Sequence, residues 1–156
     1  MIDKSWQPIT PQTAVVDAAA GLWVCVVDYL TPPFRIKITA NGRWDWAPGR
    51  TCTADGDVSE RAPADALLAS APLGALIGKI GGSSCDKGDW LAAGGAVSSS
   101  GLTRPVLFAI GISGVIIASG DEKTSVAGPL FLAMNDSPLR NRYHTGTLQI
   151  ALFTAE

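Results

Sequence analysis

The sequence contains few of the residues on which enzymes and metalloproteins most often rely. It has one histidine and three cysteines without a Cys-x-x-Cys pair, so a zinc site is not expected. A Ser-His-Asp or Cys-His device would have to use that histidine, His144, and the sequence has no nucleophile elbow. A glycine-rich phosphate loop is also missing, and nothing marks a catalytic pair of carboxylates. We therefore do not expect an enzyme.

Charged residues are scarce as well, at 17% of the 156 residues, and the lysines and arginines are scattered. A phosphate backbone requires a concentrated basic surface, so nucleic-acid binding is not expected. Apolar runs are all interrupted before the ~18 residues of a membrane-spanning helix. The first residues lack the apolar core and cleavage site of a secretory signal. These features predict a cytoplasmic protein, with export by a non-classical route left open.

What the sequence does contain is apolar residues (47%) punctuated by 17 glycines and 10 prolines. This composition is typical of a compact chain with many turns, and the length fits one domain over residues 1–156. Phe34, Ile36 and Ile38 alternate with polar residues in 34–42, which predicts a half-buried strand. Other strands are predicted at 22–30, 75–81, 106–112, 114–119, 128–136 and 146–155.

Helical signals are weak and confined to 13–23 and 63–70, each long enough for a turn or two. The segment 41–63 carries Asn-Gly and Asp-Gly pairs and is predicted as a long connection. The glycine- and serine-rich segment 82–105 is predicted as a long excursion from the domain. Many short strands between turns favour an all-β fold, either a β-sandwich or a jelly roll.

The segment "MNDSPLRNRYHTG", residues 134–146, gathers polar residues between two apolar runs. It holds the single histidine, one aspartate, two asparagines and two arginines. "NDSP" is a turn-forming sequence, because Asx side chains bond the backbone two residues onward. A loop of this composition is either a ligand site or an ordinary turn.

Four segments, in order, link this loop to a known family: "APLGALIGKIG" (71–81), "LFAIG" (107–111), "AGPLFLAMND" (127–136) and "TGTLQIAL" (145–152). Together with "IKITANGRWDW" and "DGD" nearer the start, they resemble the PA-I galactophilic lectins, the LecA-like bacterial β-sandwich lectins. The resemblance implies a galactose-binding-like β-sandwich. Two departures are the segment 82–105, which looks like an insertion, and the first twenty residues, which have no counterpart.

The resemblance also implies a calcium-dependent galactose site. In such lectins an aspartate, two asparagine side chains and two backbone carbonyls hold calcium, and sugar hydroxyls complete its shell. Carried over by position, the aspartate is Asp136, the carbonyls fall at Arg140 and about Trp46, and the asparagine positions fall at Tyr143 and His144. Asp136 is the single side-chain metal ligand that remains in this set.

The residues of the loop argue against calcium. A protonated phenol coordinates calcium weakly, and imidazole suits softer metals, so Tyr143 and His144 are poor replacements for amides. Arg140 and Arg142 add two positive charges beside one carboxylate, which opposes a dication. Calcium dependence is therefore not expected, although Asp136 keeps the position of a ligand.

A sugar site without metal is the function predicted from these residues, because aromatic faces pack on sugar C–H groups and polar side chains bind hydroxyls. A cationic loop would equally suit an acidic sugar or another carboxylate. Carbohydrate is the expected partner, and homo-oligomers would suit a weak sugar site. The candidate sugar-binding residues are Trp44, Trp46, Asp57, Asp136, Arg140, Asn141, Tyr143 and His144.

The alternative is a protein-interaction or structural module that kept the sandwich and lost the sugar site. It rests on the altered ligand positions and on the segment 82–105, which carries Cys85 and Trp90. In that case the two tryptophans at 44 and 46 cover the end of the sandwich and the arginines are solvated.

Overall fold

The computed structural model describes residues 6–19, 23–81, 106–118 and 127–155. These residues form nine β-strands and one 3-10 helix. The strands are β1 (Gln7–Asp17), β2 (Val24–Leu30), β3 (Phe34–Ala47), β4 (Arg50–Cys52), β5 (Leu76–Ile80), β6 (Val106–Ala109), β7 (Ser113–Ala118), β8 (Gly128–Met134) and β9 (Thr145–Thr154), and the 3-10 helix spans Pro138–Tyr143 between β8 and β9. None of the described residues belongs to a helix long and apolar enough to cross a membrane.

The strands form two antiparallel sheets. In the first sheet β9 lies between β1 and β3, and the far side of β3 pairs with β7 and then with β4. The second sheet has the order β2-β8-β5-β6. The β-sandwich predicted from the sequence is thus confirmed, while the insertion predicted at 82–105 lies outside the described residues.

The long strand β3 continues where a turn was predicted. Ile36, Ile38, Trp44 and Trp46 all lie on its buried face, so the period-2 alternation runs past the Asn-Gly pair. Gly42 pairs with Leu148 of β9 inside this ladder. Burying two indoles contributes more than the local turn preference of Asn-Gly. The predicted connection at 41–63 is therefore wrong in its first part.

The two weak helical predictions are also wrong. Residues 13–17 pair with β9 as the end of β1, and residues 18–19 form a turn. The segment 63–70 forms turns without a helix, with backbone bonds such as Ala66 N–H to Pro63 O. The prolines at 8 and 11 concealed β1 in the sequence. They are tolerated because β1 is an edge strand, and its register shifts between Pro8 and Thr13.

The central strands of the second sheet are buried on both faces. Leu76 and Ile80 of β5 face the first sheet in the main core, whereas Ile77 faces outward into a second cluster. That second cluster is covered by Leu67 and Ala71 from the segment 63–72. This covering segment explains the continuous apolar runs of β5 and β8. It also reaches the end of β8, where the candidate site begins.

Gly74, which follows the covering segment, provides a test of packing at this end of the sandwich. Its φ is +84°, and a Cβ there would lie 2.7 Å from Cys52 Sγ and 3.1 Å from Trp46 Cδ1. Gly49 has a similar φ of +73°, but a Cβ there would meet nothing within 4 Å. Gly74→Ala therefore combines backbone strain with a clash, whereas Gly49→Ala adds strain alone.

We expect Gly74→Ala to lower the free energy of unfolding by about 2–4 kcal/mol and Gly49→Ala by about 1 kcal/mol. Urea unfolding followed by tryptophan fluorescence measures both. Equal losses in the two variants would contradict the close packing of Gly74 against Cys52 and Trp46.

Candidate functional site

Three buried polar residues follow directly after strand β8. Asn135, Asp136 and Ser137 are 0%, 1% and 4% exposed, although they follow an apolar strand and precede a loop. A buried polar group that lacks hydrogen bonds costs roughly 1–3 kcal/mol if it is neutral and more if it is charged. The partners of these three side chains therefore determine how the surrounding segments are held.

Asn135 binds the covering segment. Its Oδ1 accepts from Leu68 N–H at 2.9 Å, and its Nδ2 donates to the carbonyls of Leu68 (2.8 Å), Ala71 (3.1 Å) and Pro72 (3.1 Å). Its backbone bonds Gly74 and Ala75. One amide side chain thus satisfies main-chain groups that the turns at 68–72 leave without partners in a ladder.

Asp136 binds the loop that follows it. Its Oδ1 accepts from Ser137 N–H at 2.7 Å. Its Oδ2 accepts from His144 Nε2 at 2.9 Å and from Arg140 Nε at 3.1 Å. His144 is itself 5% exposed, and Arg140 is about two-fifths exposed. The carboxylate is therefore enclosed by three donors from the β8–β9 connection.

These contacts set the protonation of Asp136. Burial raises the pKa of its carboxyl, but the bonds from His144, Ser137 N–H and Arg140 together outweigh burial and hold the pKa below the usual value. The carboxylate is thus ionised at neutral pH and is bonded in that form.

Ser137 starts the 3-10 helix. Its Oγ donates to Asp65 Oδ2 at 2.7 Å and accepts from Leu139 N–H at 3.2 Å, while its carbonyl accepts from Arg140 N–H. The helix carries basic residues in its last turn, Arg140 and Arg142. Both arginines therefore lie on a segment that is bonded to the buried Asp136.

Two aromatic rings lie beside these arginines. The guanidinium carbon of Arg140 lies 5.7 Å from the Tyr143 ring centroid and 5.8 Å from that of Trp46. Arg142 lies 4.9 Å from the Tyr143 ring, and its Nη2 donates to Tyr143 Oη at 2.9 Å. Both guanidiniums are within the ~6 Å range of cation–π attraction to the one tyrosine. We call Arg140, Arg142 and Tyr143 the arginine–tyrosine surface.

The two tryptophans have different roles. Trp44 is 1% exposed, and its Nε1 donates to Gly74 O at 2.8 Å, so its ring belongs to the core and offers no face to a ligand. Trp46 is 7% exposed and borders Arg140 and Arg50. Its Nε1 donates to Asp57 Oδ2 at 3.3 Å. Trp46 is thus a buried residue that packs against Arg140 at the edge of the site.

Asp57 lies at the margin of this group. Hydrogen bonds from the hydroxyl and N–H of Ser59 hold the pKa of Asp57 below its usual value. The 3-10 helix includes Asn141, but the side chain of Asn141 is outside the described part of the structure. The structure therefore brings together five of the predicted residues, namely Trp46, Asp136, Arg140, Tyr143 and His144. Asp57 is connected to this group through its hydrogen bond with the Trp46 indole.

Sequence reasoning assigned no binding role to Asn135, Ser137 or Arg142. The signal for the first two was the change from an apolar strand to consecutive polar residues, which indicates a buried polar cluster as well as a turn. The signal for Arg142 was that it directly precedes Tyr143 in the sequence, which is informative only once the local backbone is known.

The donor set does not fit a calcium ion. Calcium requires 6–8 oxygen ligands, and both oxygens of Asp136 already accept hydrogen bonds. His144 gives its Nε2 to Asp136, and the Tyr143 hydroxyl accepts from Arg142. No group of three or more His, Cys, Asp or Glu able to hold a metal is found among the residues described. A cation at Asp136 Oδ2 would compete with both Arg140 Nε and His144 Nε2.

Comparison with known proteins gives a likeness of fold. No family model matches the sequence, and no curated protein matches it. Among solved structures, the chain is similar to the EclA N-terminal domain, a PllA-like lectin, with a TM-score of 0.56 and 12% identity over 97% of this chain and 99% of that one. At this identity the likeness shows a lectin-like fold and does not show membership of the PA-I galactophilic family.

The bonds of Asp136 predict a pH dependence of stability. Because its pKa is lower in the folded protein than in the unfolded chain, its contribution is present above the unfolded value of about 3.9 and is lost as pH falls through the folded value. Asp136→Asn should lower the free energy of unfolding by about 3 kcal/mol at pH 7. The difference from wild type should then shrink on acidification below about pH 4.

Denaturant unfolding between neutral and acidic pH measures this difference. Asp28→Asn, which alters an exposed carboxyl on β2, is the control and should leave the pH profile unchanged. A gap between wild type and Asp136→Asn that stays constant down to pH 2.5–3, about one unit below the unfolded value, would contradict the argument.

Proposed function

We propose that this chain is a carbohydrate-binding domain whose site is the arginine–tyrosine surface at the β8–β9 end of the sandwich. The observation that carries the proposal is an exposed tyrosine with two guanidiniums within about 6 Å of its ring, on a loop bonded to a buried carboxylate. The lectin-like fold is consistent with carbohydrate binding but does not by itself establish it.

The chemistry of the surface suits a sugar. Tyr143 is 38% exposed and presents apolar ring area for sugar C–H groups beside N–H donors for hydroxyls. Its position is restrained by Arg142, so little side-chain freedom is lost on binding. We expect no calcium to take part, because Asp136 Oδ2 is bonded to Arg140 and His144 and Asp136 Oδ1 to Ser137 N–H. The resemblance to galactophilic lectins makes galactosides the first sugars to test.

A second candidate is a module that binds other protein chains through the first sheet. Val115 and Ile117 of β7 are 51% and 64% exposed. Among the described strands, β7 pairs only with β3, so its other edge has no strand partner there. This apolar edge is compatible with assembly, but assembly is also compatible with sugar binding. The glycan experiment that follows separates the two candidates.

We expect the folded protein to bind at least one carbohydrate class on a glycan array in the presence of EDTA. Tyr143→Ala should weaken that binding about three- to ten-fold, the value of one aromatic contact. Tyr29→Ala is the matched control, since Tyr29 is an exposed tyrosine on β2 of the other sheet, and it should bind as wild type does. A folded protein that binds no glycan would overturn the proposal and favour the interaction module.

A further inference from the structure

The charges at the β8–β9 end are unequally balanced. Arg50 forms an ion pair with Glu60 at 2.7 Å, and Arg140 forms one with Asp136 through its Nε. Arg142 forms no ion pair with any carboxylate of the described residues. Since His144 shares the same Asp136 oxygen as Arg140, one carboxylate serves two basic groups. Within the described residues, the charge of Arg142 on the arginine–tyrosine surface is therefore not paired with a carboxylate.

Arg140 is anchored in a way that leaves its outer edge available. Its Nε donates inward to Asp136, and neither terminal nitrogen has a hydrogen-bond partner among the residues that the structure describes. The side chain is about two-fifths exposed. A guanidinium held by Nε keeps a planar edge of N–H donors directed away from its anchor, and such an edge matches the two oxygens of an oxyanion.

Arg142 contacts the same tyrosine as Arg140. It is exposed, its Nη2 donates to Tyr143 Oη, and its guanidinium carbon lies 4.9 Å from the ring whose centroid is 5.7 Å from Arg140. Two guanidiniums that border one ring can therefore contact a single ligand of sugar size. A neutral sugar would leave both charges partly desolvated without compensation.

We propose that the ligand is an acidic carbohydrate, a sugar ring bearing an oxyanion, with Arg140 and Arg142 binding the anionic oxygens and Tyr143 the ring. The proposal rests on the carbohydrate-binding function proposed above and assigns its ligand class. Charge-assisted hydrogen bonds are roughly twice as strong as neutral ones, so the anionic group supplies much of the discrimination. Carboxylate and sulfate share this chemistry, and the experiment separates them.

The test compares sugars that differ at one carbon. Methyl galactoside, its 6-carboxylate (methyl galacturonide) and its 6-sulfate are titrated into wild-type protein in EDTA and followed by calorimetry or by NMR chemical shifts. We expect at least one anionic sugar to bind about ten-fold more tightly than the neutral one. The order of the two anions identifies whether carboxylate or sulfate is the better group. The preference should shrink as salt is raised.

Variants locate the effect. Arg142→Gln removes one cation and leaves the Arg140–Asp136 pair intact, so it should fold normally and lose most of the preference for the anion. Arg35→Gln is the control, because Arg35 lies at the opposite end of β3 from Trp46, over the Trp6 ring. It removes the same net charge and should keep the preference.

Two results would overturn the inference. Equal binding of neutral and anionic galactosides would refute the acidic ligand while leaving carbohydrate binding in place. An undiminished preference for anions in Arg142→Gln would show that Arg142 does not bind the anionic group, which contradicts the proposal. Failure of all three sugars, together with an array on which nothing binds, would instead remove the proposed function itself.

Discussion

The carboxylate of Asp136 is 1% exposed, and an ionised group at such depth is stable only while donors satisfy its oxygens. The donors come from three places along the β8–β9 connection: the N–H of Ser137, the Nε of Arg140 and the Nε2 of His144. Each bond fixes a different part of that connection. The course of the 3-10 helix, and with it the placement of Arg140 and Tyr143, depends on this buried charge.

Asn135 extends the same constraint into the fold. Its amide bonds the turns at 68–72, which in turn cover the outer face of β5 and β8. Two adjacent residues just after β8 thus hold different segments. Asn135 closes the second hydrophobic cluster, and Asp136 holds the loop that bears the candidate site. A change at either residue is expected to affect both stability and the site, because neither group can be left without partners.

The sequence predicted the parts of the fold that follow a periodic pattern. Apolar runs located six of the strands, and the alternation at Phe34, Ile36 and Ile38 gave the buried face of β3. It failed where local preference and long-range pairing disagree. Asn41 and Gly42 form a common turn pair, but pairing with β9 and burial of Trp44 keep the strand extended. The edge strand β1 was missed because its prolines conceal its pattern.

The candidate site was only partly predictable for the same reason. The polar loop could be located from its composition, and Arg140 and Arg142 could be seen to oppose calcium. Which carboxylate binds which cation depends on the third dimension. Packing at the end of the sandwich determines that Asp136 binds Arg140 and His144. The same packing encloses Trp44 and leaves Trp46 beside the arginines.

The claim that Asp136 is committed to these partners is tested most directly by thermal unfolding in EDTA and in calcium up to about 10 mM, above the ~10⁻⁴–10⁻³ M dissociation constants of weak calcium sites. A site saturated a hundred-fold would stabilise the protein by about 2.7 kcal/mol, which is readily measured. The structure predicts the same unfolding temperature with and without calcium. A saturable rise in that temperature that disappears in Asp136→Asn would contradict it.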